Sequence, residues 1–295
     1  MTGFKQWHRG AVLALQDYYW APGGPAGATR DELAASIRGG WKVALADYYG
    51  RFAYERAGAG PTWAPCAREL LLDYPGDLPG RDLPAWAWSQ LQLRLGRTDG
   101  LNPHNNGLYP HQPGRPPMTA FVRTLVEDRH NIFGWAARLL SDGRAAEASR
   151  SLLGVHGVGS KIAAFLLRDV LVAVRIPEDQ IGGAHLIQPV DIWVRRAAVD
   201  LAQDDTLASE GRDPVTARRM VKLAAELGVP GAALNCALWV LGARLARSEV
   251  ALKSALTDRG AFVGLVAAEI SRAAHNLEAL REWLEPLVED PPSDV

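Results

Sequence analysis

The stretch that decides the fold is residues 152–163, Leu-Leu-Gly-Val-His-Gly-Val-Gly-Ser-Lys-Ile-Ala, in which Gly157 and Gly159 flank one apolar residue between two segments of helical periodicity. Glycine permits a tight turn and the close approach of another backbone. The N–H groups of Val158, Gly159 and Ser160 at a helix start form a site suited to an anion such as a phosphate. The stretch therefore predicts a helix–hairpin–helix, and the alternative is a plain corner between two helices.

The rest of the chain shows the same helical spacing of apolar residues, with no convincing alternation typical of strands. A helix is predicted from Thr29 towards Tyr49, with Gly39-Gly40 as its weak point, and another from Asp213 to Gly228 with Pro214 at its first position. The sequence thus predicts an all-α protein. Further helices are expected over residues 83–95, 119–128, 132–140, 144–153, 160–174, 190–201, 231–247 and 262–287.

Residues 99–118 break this rhythm with five prolines and four Asn or Gln residues, a composition incompatible with a helix. The segment also contains His104 and His111. A long loop of this kind is often functional and could probe a nucleic acid, but a surface excursion without a role explains it equally well. A second irregular connection, residues 175–189, joins the two segments that carry the candidate chemistry.

Composition excludes several classes of protein. The 295 residues include 32 Lys plus Arg and 33 Asp plus Glu, so the net charge of −1 argues against a protein that coats nucleic acid by bulk electrostatics. Two cysteines, Cys66 and Cys236, cannot form a disulfide framework, a CxxC motif or a four-cysteine iron–sulfur loop. No cluster has the spacing of metal ligands. The longest uncharged stretch, residues 227–243, is interrupted by glycine and proline, so no membrane helix is expected.

Two residues have the character of reacting groups. Lys161 lies in the first turn of the predicted second helix, where the positive end of the helix dipole disfavours an ammonium and favours the neutral, nucleophilic amine. Asp191 follows Gln188-Pro189-Val190 near the start of another helix, where an acid ordinarily serves as a cap. The combination of a nucleophile beside a phosphate-binding hairpin and a carboxylate on a later helix indicates catalysis.

At these residues the sequence resembles the helix–hairpin–helix DNA glycosylase superfamily, which includes endonuclease III and the 8-oxoguanine DNA glycosylases. Members carry a hairpin of the form L-P-G-V-G-x-K-x-A followed by V-D, and the matching positions are residues 155–163, then Val190 and Asp191. The run from Lys161 to Asp169 also resembles the K-x-A-x-x-F-L-R-N of archaeal-type 8-oxoguanine glycosylases. Pro189-Val190-Asp191 is similar to the P-V-D of the eukaryotic type. The resemblance covers residues 145–200.

The chain departs from the pattern at identifiable positions. His156 replaces the usual hairpin proline, and Trp193 stands where many members have histidine. The spacing from Lys161 to Asp191 is longer than in endonuclease III, as it is in the archaeal 8-oxoguanine enzymes. Because no iron–sulfur cysteines follow, the endonuclease III and adenine-glycosylase branches are not close relatives.

The resemblance implies a base-excision repair enzyme that flips an oxidised base, first of all 8-oxoguanine, out of double-stranded DNA and excises it. By this match Lys161 is the Schiff-base lysine of a DNA glycosylase with AP lyase activity, and Asp191 is the essential aspartate. The residues expected to hold a DNA phosphate are His156, Gly157, Val158, Gly159 and Ser160.

The resemblance also implies an architecture and a setting. Two helical domains are expected, residues 64–174 as a central bundle ending in the hairpin and residues 1–63 plus 175–295 as the second, with Lys161 and Asp191 facing each other across the cleft. No cofactor and no iron–sulfur cluster are implied, while a monovalent cation at the hairpin is compatible with the family. We expect a monomer in the cytoplasm, associated with the nucleoid when bound to DNA, with no membrane partner.

The base pocket is matched by no motif. Phe165, one turn beyond Lys161, and Trp193 and Trp239 are the candidates for stacking on a flipped base, although aromatic residues at helical spacing more often belong to the core. Two other functions stay open. The chain could be a glycosidase of the same fold acting on a free modified nucleoside or nucleotide, which its near-neutral charge favours, or a non-catalytic protein that binds DNA through the hairpin alone.

Overall fold

The computed structural model describes residues 7–54, 60–96, 108, 114–127, 130–208 and 213–272. These residues form helices and turns with no β-strand among them, so the all-α prediction is confirmed. The helices are α1 (Trp7–Trp20), α2 (Arg30–Arg38), α3 (Trp41–Tyr48), α4 (Gly60–Leu72), α5 (Leu83–Leu95), α6 (Met118–Glu127), α7 (Ile132–Ser141), α8 (Ala145–Leu153), α9 (Ser160–Val174), α10 (Ile192–Ala202), α11 (Asp213–Leu227), α12 (Gly231–Val240), α13 (Glu249–Thr257) and α14 (Arg259–Arg272).

Contacts between Cα atoms divide the chain into two compact units, Arg30–Ile187 and Met1–Thr29 with Gln188–Val295. We call them the central unit and the terminal unit. Their limits differ from the expected domain limits of 64–174 and 1–63 plus 175–295. The difference arises because α2 packs against α7 and α9, and α3 against α4, so these early helices contribute to the same core as the hairpin.

The central unit is organised around α9, which packs against α2, α7 and α8. Its apolar residues are buried on most of the helix surface, as expected for a helix inside a core. An aromatic cluster continues this core, with the ring of Phe52 at 5.9 Å from Phe133 and 5.0 Å from Phe165, both in edge-to-face geometry. Such pairs add to the stabilisation that burial of their surface provides.

The terminal unit is organised around α12, whose residues 231–238 are all buried. Its main neighbour is α1, so the first described helix closes the core formed by the later ones. After Val240 the helix widens into a π-helical segment, Leu241–Ala246, rather than continuing regularly to residue 247 as predicted. A Cβ atom at Gly242 would lie 2.6 Å from the Cβ of Trp193, so the missing side chain permits the close approach of α10.

Local signals predicted most helix limits closely. The predicted helices 83–95 and 160–174 match α5 and α9, and the break at Gly39-Gly40 separates α2 from α3. The predicted helix 262–287 begins earlier, at Arg259, and its part beyond residue 272 lies outside the described residues. No described helix is by itself long and apolar enough to cross a membrane; α11 and residues 231–246 pass that test only as a pair, bent by 104°.

The side chain of Asn131 fastens α7 to the end of α2. Its Oδ1 accepts a hydrogen bond of 2.7 Å from the N–H of Gly134, which caps α7. Its Nδ2 donates to the carbonyl oxygens of Ser36, Ile37 and Gly39 at 3.0, 3.1 and 2.7 Å. The last carbonyls of a helix have no partner within the helix, and this buried amide supplies a donor to them at the end of α2.

We expect Asn131→Ala to lower the free energy of unfolding by about 2 to 4 kcal/mol, because both the cap and the bonds to α2 are lost. Asn131→Asp separates the two contributions, since aspartate caps a helix as well as asparagine but brings an oxygen against three carbonyl oxygens. Urea denaturation of both variants measures the effect. A stability of Asn131→Asp equal to that of the wild type would contradict the role assigned to the three carbonyl bonds.

Candidate functional site

A short turn, residues 154–159, joins α8 to α9 at the position of the predicted hairpin. Val155 and Val158 are 1% and 2% exposed, so both apolar residues of the turn point into the core of the central unit. Gly157 between them has a φ of +80°, a conformation that glycine adopts at little cost. Gly159 is the N-cap of α9, with φ −98° and no side chain to cap the helix. The glycines therefore serve different purposes, one for the turn and one for an open helix start.

Arg115 joins the hairpin to the end of the proline-rich segment. Its Nη2 donates to the carbonyl oxygens of Leu153, Val155 and Val158 at 2.8, 2.8 and 3.1 Å. Sequence reasoning missed this residue, because nothing in the local pattern links an arginine to a turn about forty residues later. Residues 99–107 and 109–113, with His104 and His111, lie outside the described residues.

The start of α9 offers fewer amides to an anion than the sequence predicts. The N–H of Val158 donates to the carbonyl oxygen of Val155 at 3.2 Å and is therefore engaged within the turn. The N–H groups of Gly159 and Ser160 donate to no atom of the described residues. Gly159 and Ser160 are both exposed, and a Cβ atom at Gly159 would meet nothing within 4 Å, so solvent reaches this helix start.

The side chain of His156 is buried. The residue is 3% exposed, and its N–H donates to the carbonyl oxygen of Pro116 at 2.8 Å. A contact between its imidazole and a phosphate would therefore require the hairpin to rearrange. At this position, where the family pattern has proline, the chain uses the backbone N–H that a proline would lack.

Lys161 is half-buried in the first turn of α9, two residues after the open N-cap. Phe165 lies one turn further along and packs edge-to-face on Phe52 at 5.0 Å. The guanidinium of Arg168 lies over the ring of Phe165 at 4.7 Å and pairs with Asp169 at 2.8 Å. These contacts give Phe165 a place in the core of the central unit.

Asp191 is the N-cap of α10 in the terminal unit. Its Oδ1 accepts a hydrogen bond of 2.8 Å from the N–H of Val194. Its Oδ2 accepts no hydrogen bond from the described residues, and the side chain is only half-buried. The carboxylate thus has one oxygen fixed by the helix cap and one oxygen that the cap does not use.

A buried asparagine holds the segment that leads to Asp191. Asn235 on α12 is fully buried, and its Nδ2 donates to the carbonyl oxygen of Pro189 at 3.1 Å. In the sequence Asn235 only interrupts an apolar helix, and its partner lies 46 residues earlier. The structure therefore adds Asn235 to the site as a residue that positions the approach to the cap.

The two candidate tryptophans belong to the terminal unit. Trp193 packs against Gly242, and the guanidinium of Arg196 lies 5.3 Å from the centre of its ring. Trp239, expected to be buried, is half-buried and makes an edge-to-face contact with Tyr19 at 6.0 Å. An apolar cavity of about 30 Å³ beside α12 has room for one water molecule and none for a base.

The arginines of α10 and α11 are largely balanced by carboxylates. Arg195 pairs with Asp213 at 2.7 Å, Arg196 with Glu249 at 3.3 Å and Arg219 with Glu226 at 3.5 Å. These pairs reduce the positive field that the arginines would otherwise produce. Among the described residues, no group of three His, Cys, Asp or Glu side chains is arranged to hold a metal ion.

Comparisons of this chain with protein families, with curated proteins and with solved structures found no match.

The different roles of Gly157 and Gly159 can be tested by making the same substitution at each position. We expect Gly157→Ser to lower the free energy of unfolding by about 1 to 2 kcal/mol, the cost of a left-handed φ for a residue with a Cβ atom. Gly159→Ser should leave stability unchanged or raise it slightly, because serine is a good N-cap and its Cβ meets open space. Thermal or urea unfolding measures both. Equal losses at the two positions would contradict the division of roles.

Proposed function

We propose that this chain is a DNA base-excision glycosylase with AP lyase activity that removes an oxidised base, with 8-oxoguanine as the first substrate to test. The observation that carries the proposal is the open start of α9, with two amides available to a phosphate and Lys161 in the same helical turn. Backbone amides at a helix start bind phosphate without reading base sequence. The site therefore suits an enzyme that must grip DNA wherever a lesion occurs.

In this proposal the backbone amides of Gly159 and Ser160 bind a DNA phosphate. A target base has to leave the stack before its glycosidic bond is accessible, and unstacking costs about a few kcal/mol that contacts with the protein must offset. A phosphate held at the start of α9 lies close to Lys161 along the helix. The hairpin thereby places the sugar next to the amine.

Lys161 is the nucleophile. Its neutral amine attacks C1′ of the sugar, a C–N bond forms, and the bond from C1′ to the base breaks with the base as the leaving group. The amine then loses a proton and the sugar ring opens to give a Schiff base. This iminium acidifies the proton on C2′, and its removal expels the phosphate on the 3′ side, which cleaves the strand.

Asp191 supplies negative charge. Departure of the base leaves positive charge on the sugar, and a fixed carboxylate oxygen stabilises it without further reorganisation. Oδ1 is held by the helix cap, so Oδ2 is the oxygen left to meet the sugar. Lys161 belongs to the central unit and Asp191 to the terminal unit, so the proposal requires both side chains to reach the same nucleotide.

Borohydride trapping tests the nucleophile. We expect the wild type to form a covalent adduct with a duplex that contains 8-oxoguanine or another oxidised base, and Lys161→Gln to form none. Lys222→Gln is the control, because Lys222 is an exposed lysine of α11 outside the proposed site and should trap like the wild type. No adduct on any lesion duplex, with a folded protein, would overturn the lyase assignment. Duplex binding without an adduct would then indicate the binding module, and hydrolysis of free nucleosides the glycosidase.

Asp191→Asn tests the carboxylate without removing the cap, since asparagine is an equally good N-cap. We expect unchanged stability and duplex affinity, and a rate of base release lower by about 10² to 10³, as for the loss of one electrostatic contact to a transition state. Single-turnover release of the base measures the rate. A loss of stability in the Asp191→Asn variant would instead indicate that Asp191 has a structural role only.

A further inference from the structure

The three carbonyl groups that meet Arg115 form an oxygen cluster within one turn of chain. Leu153, Val155 and Val158 lie within six residues of each other, and all three oxygens are 2.8 to 3.1 Å from a single nitrogen atom. A cluster of backbone carbonyls of this kind is the donor set that monovalent metal ions take in proteins. Here the group at its centre is the guanidinium of the chain itself.

We propose that Arg115 is a built-in cation that takes the place of a monovalent metal ion in the hairpin and strengthens its phosphate site. The part that concerns phosphate rests on the proposed function; the part that concerns the metal ion does not. A metal ion at these oxygens would face a permanent positive charge at hydrogen-bonding distance, so the cluster does not fit sodium or potassium while Arg115 is in place. The hairpin is therefore independent of the identity of the monovalent cation in solution.

One peptide group, between Val158 and Gly159, connects Arg115 with the candidate phosphate site. The carbonyl of Val158, which accepts from Arg115, and the N–H of Gly159, which donates to no described residue, are the two ends of the same peptide unit. A hydrogen bond from a charged donor to the carbonyl polarises the unit and makes its N–H a stronger donor. Arg115 thus acts on the candidate phosphate site without touching the phosphate, as a positioning residue.

A second bond fixes the same two segments to each other. The N–H of His156 donates to the carbonyl oxygen of Pro116, the residue next to Arg115. The turn is therefore held on both sides by residues 115 and 116, which lie at the end of the proline-rich segment. This arrangement gives that part of the segment a role that its composition did not reveal.

The test compares the wild type, Arg115→Met and the control Arg123→Met in the chlorides of sodium, potassium and tetramethylammonium at equal ionic strength. Arg123 is a half-buried arginine on α6 that makes no ion pair with the described residues. The first readout is hydrogen exchange of the amides of His156 and Val158, which needs no DNA. The second is affinity for a duplex with an abasic-site analogue.

We expect the wild type to show the same exchange and the same affinity in all three salts. Arg115→Met should lose about tenfold in both measurements in tetramethylammonium, the effect of one charged hydrogen bond, and recover part of the loss in sodium or potassium, which can enter the vacated cluster. Arg123→Met should behave like the wild type. Dependence of wild-type exchange on sodium or potassium, or an Arg115→Met variant that exchanges like the control, would overturn the proposal.

Hydrogen exchange and duplex affinity distinguish a failure of the proposed function from a failure of the role assigned to Arg115. If the wild type binds no duplex in any salt, the proposed function fails, while the exchange measurements still decide whether Arg115 replaces a metal ion. If exchange responds as expected and the affinity of Arg115→Met equals that of the wild type, the replacement stands and the link to phosphate is overturned.

Discussion

The architecture depends on donors that reach backbone carbonyls at the places where helices end. A helix leaves its last carbonyls without partners, and an all-helical chain buries many such ends. Three buried or half-buried side chains meet this requirement here: Asn131 at the end of α2, Arg115 at the hairpin, and Asn235 at the segment before α10. Each uses a planar group with several N–H donors. The two asparagines add an oxygen that can accept a bond in return, and Asn131 uses it to cap α7.

The need of helix-end carbonyls for donors from other parts of the chain explains what the sequence could and could not predict. Helix limits follow from signals within a few residues, and Gly39-Gly40, Pro214 and the glycines of the hairpin were sufficient to place them. The side chains that donate to these carbonyls lie 38 to 95 residues away from them in the sequence. Their acceptors are backbone oxygens, which every residue type has, so no residue type marks the acceptor position. A single asparagine or arginine in a loop therefore gives no sign of the segment it serves. The limits of the two compact units differ from the expected domain limits for a related reason, since they depend on which helices share a core.

In the candidate site, too, features with a local sequence signal were predictable and features that depend on distant residues were not. The hairpin was predicted because it needs glycine at two defined positions, and the cap at Asp191 because acids favour helix starts. The internal bond of the Val158 amide and the burial of His156 were not predictable, because the first depends on the geometry of the turn and His156 bonds to Pro116, a residue about forty positions earlier. The bond within the turn leaves the amides of Gly159 and Ser160 to the candidate phosphate site.

A structural role and a chemical role are compatible at Asp191 and Lys161 because they use different atoms. The cap engages Oδ1 and thereby fixes the rotamer of the carboxylate, which leaves Oδ2 in a defined position instead of a mobile one. Lys161 lies in the first turn of α9, behind Gly159, which as the N-cap has no side chain to cover the helix start. Preorganised charge is effective in catalysis because it need not reorient during the reaction. The ordinary function of a helix start thus supplies the rigidity that the proposed chemistry requires.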